Sequence, residues 1–316
     1  MIGVSSSVAA LLLLAFRPDG VSAANDGVIA RQKAAIEAFD AAHKEYLKTG
    51  DMTTFTSKLN RSARELSACL EEFNRAHNSA GAGLSLLKLG EIYRFQGNLR
   101  AAFGYFLTAI AQAQIAGDAK TRASALIGAG RCEYAGTKDY AAAGAHFREA
   151  VTVASALTDR TPLFNALSWQ AQVEVALGNL IGAADLLARA FALTPQLQDQ
   201  SLVLFAHLDR ADVFVQLSKK SEATKAYSAQ LESLQLAQAD YEAALKVAHQ
   251  FGYATLYPTI EGFLNRLAIR RQMAETNTNF SKMLGKTGVF APKKPSDVMV
   301  NEQFVPDRVD LPEPRG

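Results

Sequence analysis

Two adjoining stretches, LKLGEIYRFQGN (87–98) and LRAAFGYFLTAI (99–110), constrain the fold more than anything else in the chain. Each carries apolar residues at helical spacing, and Gly97-Asn98 between them combines a helix stop with a helix start. The first stretch presents Leu86, Leu89, a small Gly90 and an aromatic Tyr93; the second answers with Ala102, Phe106 and Ala109. A small residue at Gly90 lets a second helix approach closely, and Ala102 is the matching small residue on that helix. Tyr93 and Phe106 fill the space left over, so the two helices lock as an antiparallel hairpin. One such hairpin cannot bury both faces and needs neighbours.

The neighbours follow in order. A second copy carries Ile127, Gly130, Tyr134, Tyr140, Ala143, Phe147 and Ala150, with one extra residue in its turn. A third carries Leu167, Ala171, Gly178-Asn179, Ala183, Leu187, Ala190 and a late Pro195; a weaker fourth carries Ala211, Phe214, Ala223 and Tyr227. Ala109, Ala150 and Ala190 stand 41 and 40 residues apart. This pattern resembles the tetratricopeptide repeat (TPR), whose signature runs W-x2-L-G-x2-Y, then A-x3-F, then Pro. The spacing is similar to the longer variant of kinesin light chains and bacterial regulatory repeat proteins.

The resemblance implies an all-α right-handed solenoid of about five or six hairpins over residues 28–284, best defined over 81–231. A degenerate hairpin, Val28 to Lys48 and Thr53 to His77, precedes the good copies, and Leu236 to Gln250 with Leu256 to Leu284 follows them. Neither Gly nor Pro interrupts Lys219 to Phe251, so one long helix is expected there. Five of the nine prolines lie after Gly285, which makes 285–316 an extended, disordered tail.

In such a stack the first helix of each hairpin lines the concave side. The register set by Gly90, Gly130, Ala171 and Ala211 puts a groove along Lys88, Glu91, Arg94, Arg131, Tyr134, Asn165, Trp169, Gln172, Asp209, Asp212 and Gln216. Its early end is mainly basic and its late end acidic. An extended or helical peptide with acidic then basic residues would be complementary, with Trp169 either its aromatic anchor or part of the inter-repeat core. The TPR resemblance thus implies a non-enzymatic scaffold for another protein or peptide. Some members clamp a terminal carboxylate with Lys and Asn; Leu87, Glu91, Gly128, Asn165 and Trp169 at the matching positions do not support that here. The alternative is the sensing half of an effector system, either joined to a caspase-like CHAT protease or responsive to a signalling peptide, the latter expecting a closed superhelix.

Catalytic signals are few. Gly285-Lys286-Thr287 imitates the end of a phosphate-binding loop, but the earlier glycine is Phe280, and the triplet reads as a helix stop. Gly128-Ala129-Gly130 lacks the third glycine of a dinucleotide fingerprint. The five histidines, His43, His77, His146, His207 and His249, do not pair at metal-ligand spacing, and no G-x-S-x-G elbow occurs. No enzyme, cofactor or metal is therefore expected. Lys plus Arg (33) nearly balance Asp plus Glu (31), which removes the basic field of a nucleic-acid binder. Cys69 and Cys132 are expected as two separately buried thiols rather than one disulfide.

At the N-terminus, Val8 to Phe16 is too short to span a bilayer, and no other segment approaches that length. With the small residues Val21-Ser22-Ala23 before Ala24 it reads as a signal peptide over 1–23, although no Lys or Arg precedes the apolar run. Export would place the protein in the periplasm or outside the cell; without it, the cytoplasm is expected.

Overall fold

The computed structural model describes residues 19–197 and 199–287, with side chains described from Asn25 to Met283 around the same gap. Eleven α-helices follow one another among the described residues: α1 (Asp19–Thr49), α2 (Met52–Arg75), α3 (Ser79–Phe95), α4 (Leu99–Ala116), α5 (Ala119–Cys132), α6 (Tyr140–Ala154), α7 (Thr161–Ala176), α8 (Leu180–Phe191), α9 (Leu202–Ala223), α10 (Tyr227–Phe251) and α11 (Tyr257–Thr287). No strand occurs among those residues. Each helix packs on its chain neighbours, giving five antiparallel hairpins and a terminal helix.

The turns repeat one device. Gly50, Gly97, Gly117, Gly178 and Gly252 all have φ between 68° and 78°. A left-handed glycine after a helix turns the chain and lets its N–H groups reach the last free carbonyls. An Asp or Asn then opens the next helix. Asp51, Asn78, Asn98, Asp118, Asp139 and Asn179 each accept a hydrogen bond from the N–H three residues on, satisfying a donor that the first helical turn leaves free. The extra residue of the second repeat is absorbed by one π-helical turn, Glu133–Thr137, ending on left-handed Lys138 at φ 55°.

The core is built on close approach. A Cβ placed on Gly90 would lie 2.7 Å from the Phe106 ring, and one on Gly128 2.4 Å from that same ring. Phe106 is thus seated between a glycine of its own hairpin and a glycine of the next. Gly130 repeats the arrangement, 2.7 Å from Phe147. Trp169 joins this inter-repeat core, 7% exposed, with its ring 6.0 Å from that of Phe147.

Three expectations are corrected. The long helix over 219–251 is two helices, because Lys225 adopts a left-handed φ of 58° and reverses the chain without Gly or Pro. Consequently Ala223 and Tyr227 are not the A-x3-F pair of the fourth repeat. In the middle hairpins that pair lies four and eight residues after the cap: Ala102 and Phe106 after Asn98, Ala143 and Phe147 after Asp139. After the cap Ala226, the same places fall to Gln230 and Leu234, both buried. Finally, α11 continues through Gly285 to Thr287, so the triplet there is helical rather than a stop. The expected tail beyond Thr287 and the apolar run before Asp19 lie outside the described residues. Cys69 and Cys132 are separate buried thiols.

The two ends of the solenoid meet. Leu47, in the last turn of α1, is fully buried in the core formed by α9, α10 and α11 rather than in that of its own hairpin. Its carbonyl, one of those a helix C-terminus leaves unpaired, accepts a 2.6 Å hydrogen bond from Thr255 Oγ1. Lys44 and Asp199 form a 3.4 Å ion pair at the rim. One buried leucine contributes roughly 1.5–3 kcal/mol, the hydrogen bond about 1 and the exposed pair under about 1. This closure is the slightest junction in the ring.

Candidate peptide groove

The inner helices α3, α5, α7 and α9 bring the expected groove residues to one continuous face, which α1 also joins. That face is far more closed than a groove of solvated charges. Lys88, Glu91, Arg131, Asn165, Trp169, Gln172 and Asp209 are each less than a tenth exposed, whereas Arg94, Tyr134, Asp212 and Gln216 remain partly open.

The charges are matched within the fold. Lys88 Nζ lies 2.9 Å from Glu91 and 3.6 Å from Asp40, above the Phe39 ring at 5.4 Å. Burial works against its charge, but Glu91 and Asp40 outweigh it and hold the ammonium above its ordinary pKa. The Arg131 guanidinium stacks on Trp169 at 4.7 Å, and the indole is flanked by Tyr134 at 5.9 Å. Farther along, Gln172 Nε2 donates to Asp209 Oδ1 at 3.1 Å, linking α7 to α9. Between α3, α5 and α7, the side chains of Glu91, Arg94, Ser124, Arg131 and Asn165 surround a cleft of about 20 Å³. That is room for about one water and not for a side chain. Asn165 Oδ1 is buried there and accepts no hydrogen bond.

Some residues of this face escaped the sequence reading. Phe39 and Asp40 reach it from α1, and Gln32 on the same helix donates 2.7 Å hydrogen bonds to Gly81 O and Ser85 Oγ on α3. Their only signal was helical spacing in a flank that lacks the repeat's small residues. A second polar cluster ties α9 to α10: buried Asp240 accepts from Arg210 Nε at 2.8 Å and Nη2 at 2.6 Å, and lies 2.7 Å from His207 Nδ1. Burial pushes the Asp240 carboxyl up, but the hydrogen bonds from His207 and Arg210 prevail and hold it below the usual carboxylate range. Among the described residues, no group of three or more His, Cys, Asp or Glu could hold a metal ion, and no helix is long and apolar enough to cross a membrane.

Antiparallel hairpins with this register, stacked inner helix on inner helix, define a TPR-like α-solenoid. No family model and no curated protein matches the sequence. Among solved structures, the chain is similar to a Rap protein complexed with Competence and Sporulation Factor: TM-score 0.45, 14% identity, over 76% of this chain and 66% of that one, just under two thirds of its length. It is also similar to kinesin light chain TPR-like repeats of Podosopora anserina, with TM-score 0.45 and 13% identity over 66% of this chain and 95% of that one. BtubC (BKLC) of P. vanneervenii gives TM-score 0.44 and 14% identity over 75% of this chain and 94% of that one.

Proposed function

We propose that the protein is a non-enzymatic interaction module that holds an extended peptide segment of a partner protein along its inner face. The observation that carries this reading is the continuity of that face. Four successive inner helices contribute a row of hydrogen-bonding and aromatic side chains, with Asn165 left holding an unused buried acceptor. An extended peptide offers backbone N–H groups at regular intervals and can follow such a row. Arg94 and Tyr134 near one end and Asp212 near the other favour a segment with acidic residues first and basic residues later.

The test uses the full chain and a displayed random peptide library, with a photo-crosslinking residue at Tyr134 or Gln216 on the inner face or at exposed Asp185 on α8. Selected peptides should crosslink from Tyr134 and Gln216 but not from Asp185, and Asp212→Lys should weaken them about tenfold. Crosslinking from Asp185 alone, or affinity untouched by Asp212→Lys, overturns the groove.

A second reading, a peptide-responsive regulator, is favoured by the contact between the first and last hairpins, since a closed ring can report occupancy through its closure. An exported location rests on the N-terminal apolar segment and is tested by sequencing the mature N-terminus; a chain beginning at Ala24 supports it and an intact Met1 counts against it.

A further inference from the structure

The last helix carries two apolar faces. On one, α11 turns Ile260, Leu267 and Ala274 into the core that it shares with α10, each at most 2% exposed. On the other, Ile269, Met273, Phe280 and Met283 are 63%, 50%, 52% and 65% exposed. At roughly 100° per residue, this second row lies about half a turn around the helix from Leu267. Four of the eleven exposed large hydrophobic side chains among the described residues fall between Ile269 and Met283, so the row is a patch and not scattered surface. The end of a solenoid ordinarily shows water a polar face instead.

The spacing of the row is that of a coiled-coil seam. From Arg266, the steps to Ile269, Met273, Thr276, Phe280 and Met283 alternate between three and four residues. The row also complements itself when a second α11 runs antiparallel to it. With Met273 set against Thr276 of the other copy, Ile269 comes opposite Phe280 and Arg266 opposite Met283, and each contact is made twice. Long meets short at the centre, and the phenyl ring meets a branched aliphatic on either side. A parallel pair would instead set Arg266 on Arg266, like charge on like. The edges agree with the antiparallel choice. Arg266 and Arg270 both stand in the first half of the row, and the second half of the other copy offers them Asn277 and Asn279. Between prolines, the sequence after Thr287 has no stretch longer than ten residues, too short for a helix to match the eighteen from Arg266 to Met283.

We propose that α11 is a dimerisation helix: two copies of the chain pair antiparallel through this row, about a two-fold axis that passes between Met273 and Thr276. The row is roughly 26 Å long, and two helices touching over that length bury on the order of 1,000 Å², the low end for a specific interface. A reversible dimer of micromolar affinity fits an interface of that size.

The test is sedimentation equilibrium of the full chain from about 1 to 200 µM. The mass should rise from 34.0 kDa toward twice that value as concentration increases. Met273→Glu or Phe280→Glu should raise the dissociation constant at least about hundredfold, whereas Ile181→Glu, at a side chain 71% exposed on α8, should leave it unchanged. All three substitutions lie on the surface, and unchanged helicity and melting check that each variant is folded. Orientation is read with a short bis-maleimide, for which the buried Cys69 and Cys132 do not compete. Ile269→Cys mixed with Phe280→Cys should crosslink, and neither variant should crosslink alone. A dimer that survives both glutamate substitutions, or Ile269→Cys that crosslinks to itself, overturns the interface. A monomer at every concentration overturns it as well: Phe280→Cys shielded from a thiol reagent would give the face to a segment of the same chain, and Phe280→Cys freely reactive would leave it to another protein.

Discussion

The middle of the solenoid, α3 to α8, and its last hairpin, α9 with α10, solve the same packing problem in different ways. In the middle, glycine and alanine on one helix admit a phenylalanine from the next in α3 to α6 and Leu187 in α8, and every turn except that from α6 to α7 combines a left-handed residue with an Asp or Asn cap. In the last hairpin the small position after the cap is filled by Gln230, the aromatic position by Leu234, and the turn by Lys225-Ala226 with no side-chain cap. The hairpin closes all the same, because α9 carries two extra helical turns beyond Ala211, running to Ala223, and these include buried Ser218, which stands eight residues before the cap as Gly90 does before Asn98. Length and burial replace shape-matching, and an ionic cluster, His207 and Arg210 on Asp240, supplies the fixed point that the glycine–phenylalanine contact supplies elsewhere.

Truncating the large residue should therefore cost more in the middle. Phe106→Ala removes a ring held between two backbones that cannot collapse, so a loss of about 3–5 kcal/mol is expected. Leu234→Ala empties a site bordered by the longer, adaptable Gln230, and about 2–3 kcal/mol is expected. Urea denaturation of both variants decides the matter; equal losses would mean that the last hairpin is as tightly interlocked as the middle.

This difference also explains how far the sequence could be read. The middle hairpins were legible because a small residue, a large apolar one (Phe106, Phe147, Leu187) and an Asx cap recur at fixed distances, and each is a local chemical necessity. The break at Lys225 was invisible because a left-handed lysine has no local signature; tertiary packing imposes it. The groove was legible as a face, since helical register follows from the same small residues. Its closure was not, because burial of Lys88, Arg131 and Asp209 depends on how tightly the solenoid winds. The Leu47–Thr255 contact joins residues 208 apart and has no periodic trace.

The two regions should also fail at opposite ends of the pH scale. Asp240 titrates below its ordinary value in the fold, so its contribution is present above about pH 4 and is lost as pH falls through the folded value. In the middle, burial pushes the Cys132 thiol up to about 11 from 9.0, and Lys88 is held above its ordinary value. Raised values reverse the sign: the Cys132 contribution is complete below about pH 9 and fades by about pH 11, a loss on the order of 2–3 kcal/mol. The single tryptophan, Trp169, lies in the middle and reports that region alone. In acid, far-UV helicity should fall before Trp169 emission shifts; in alkali the emission should shift first, and Cys132→Ala should delay it. Coincident changes at both extremes would show one cooperative unit instead of two regions.

The sharpest comparison places the same side chain at the same register position in both regions. Ala102 and Gln230 each stand four residues after a helix cap, and both are buried. Ala102 is 0% exposed, within the core that holds Phe106. Ala102→Met adds volume where none is free, and about 1–3 kcal/mol should be lost to overpacking. Gln230 already occupies a long side chain's volume, and its buried Oε1 has no hydrogen-bond partner. Gln230→Met keeps the shape and removes a stranded acceptor, so stability should rise by about 1 kcal/mol. The two substitutions produce the same residue at equivalent places with opposite signs. Chemical denaturation at neutral pH measures both, and a loss at Gln230 would mean that its amide holds the last hairpin together and that the substitution of length for shape-matching has been misread.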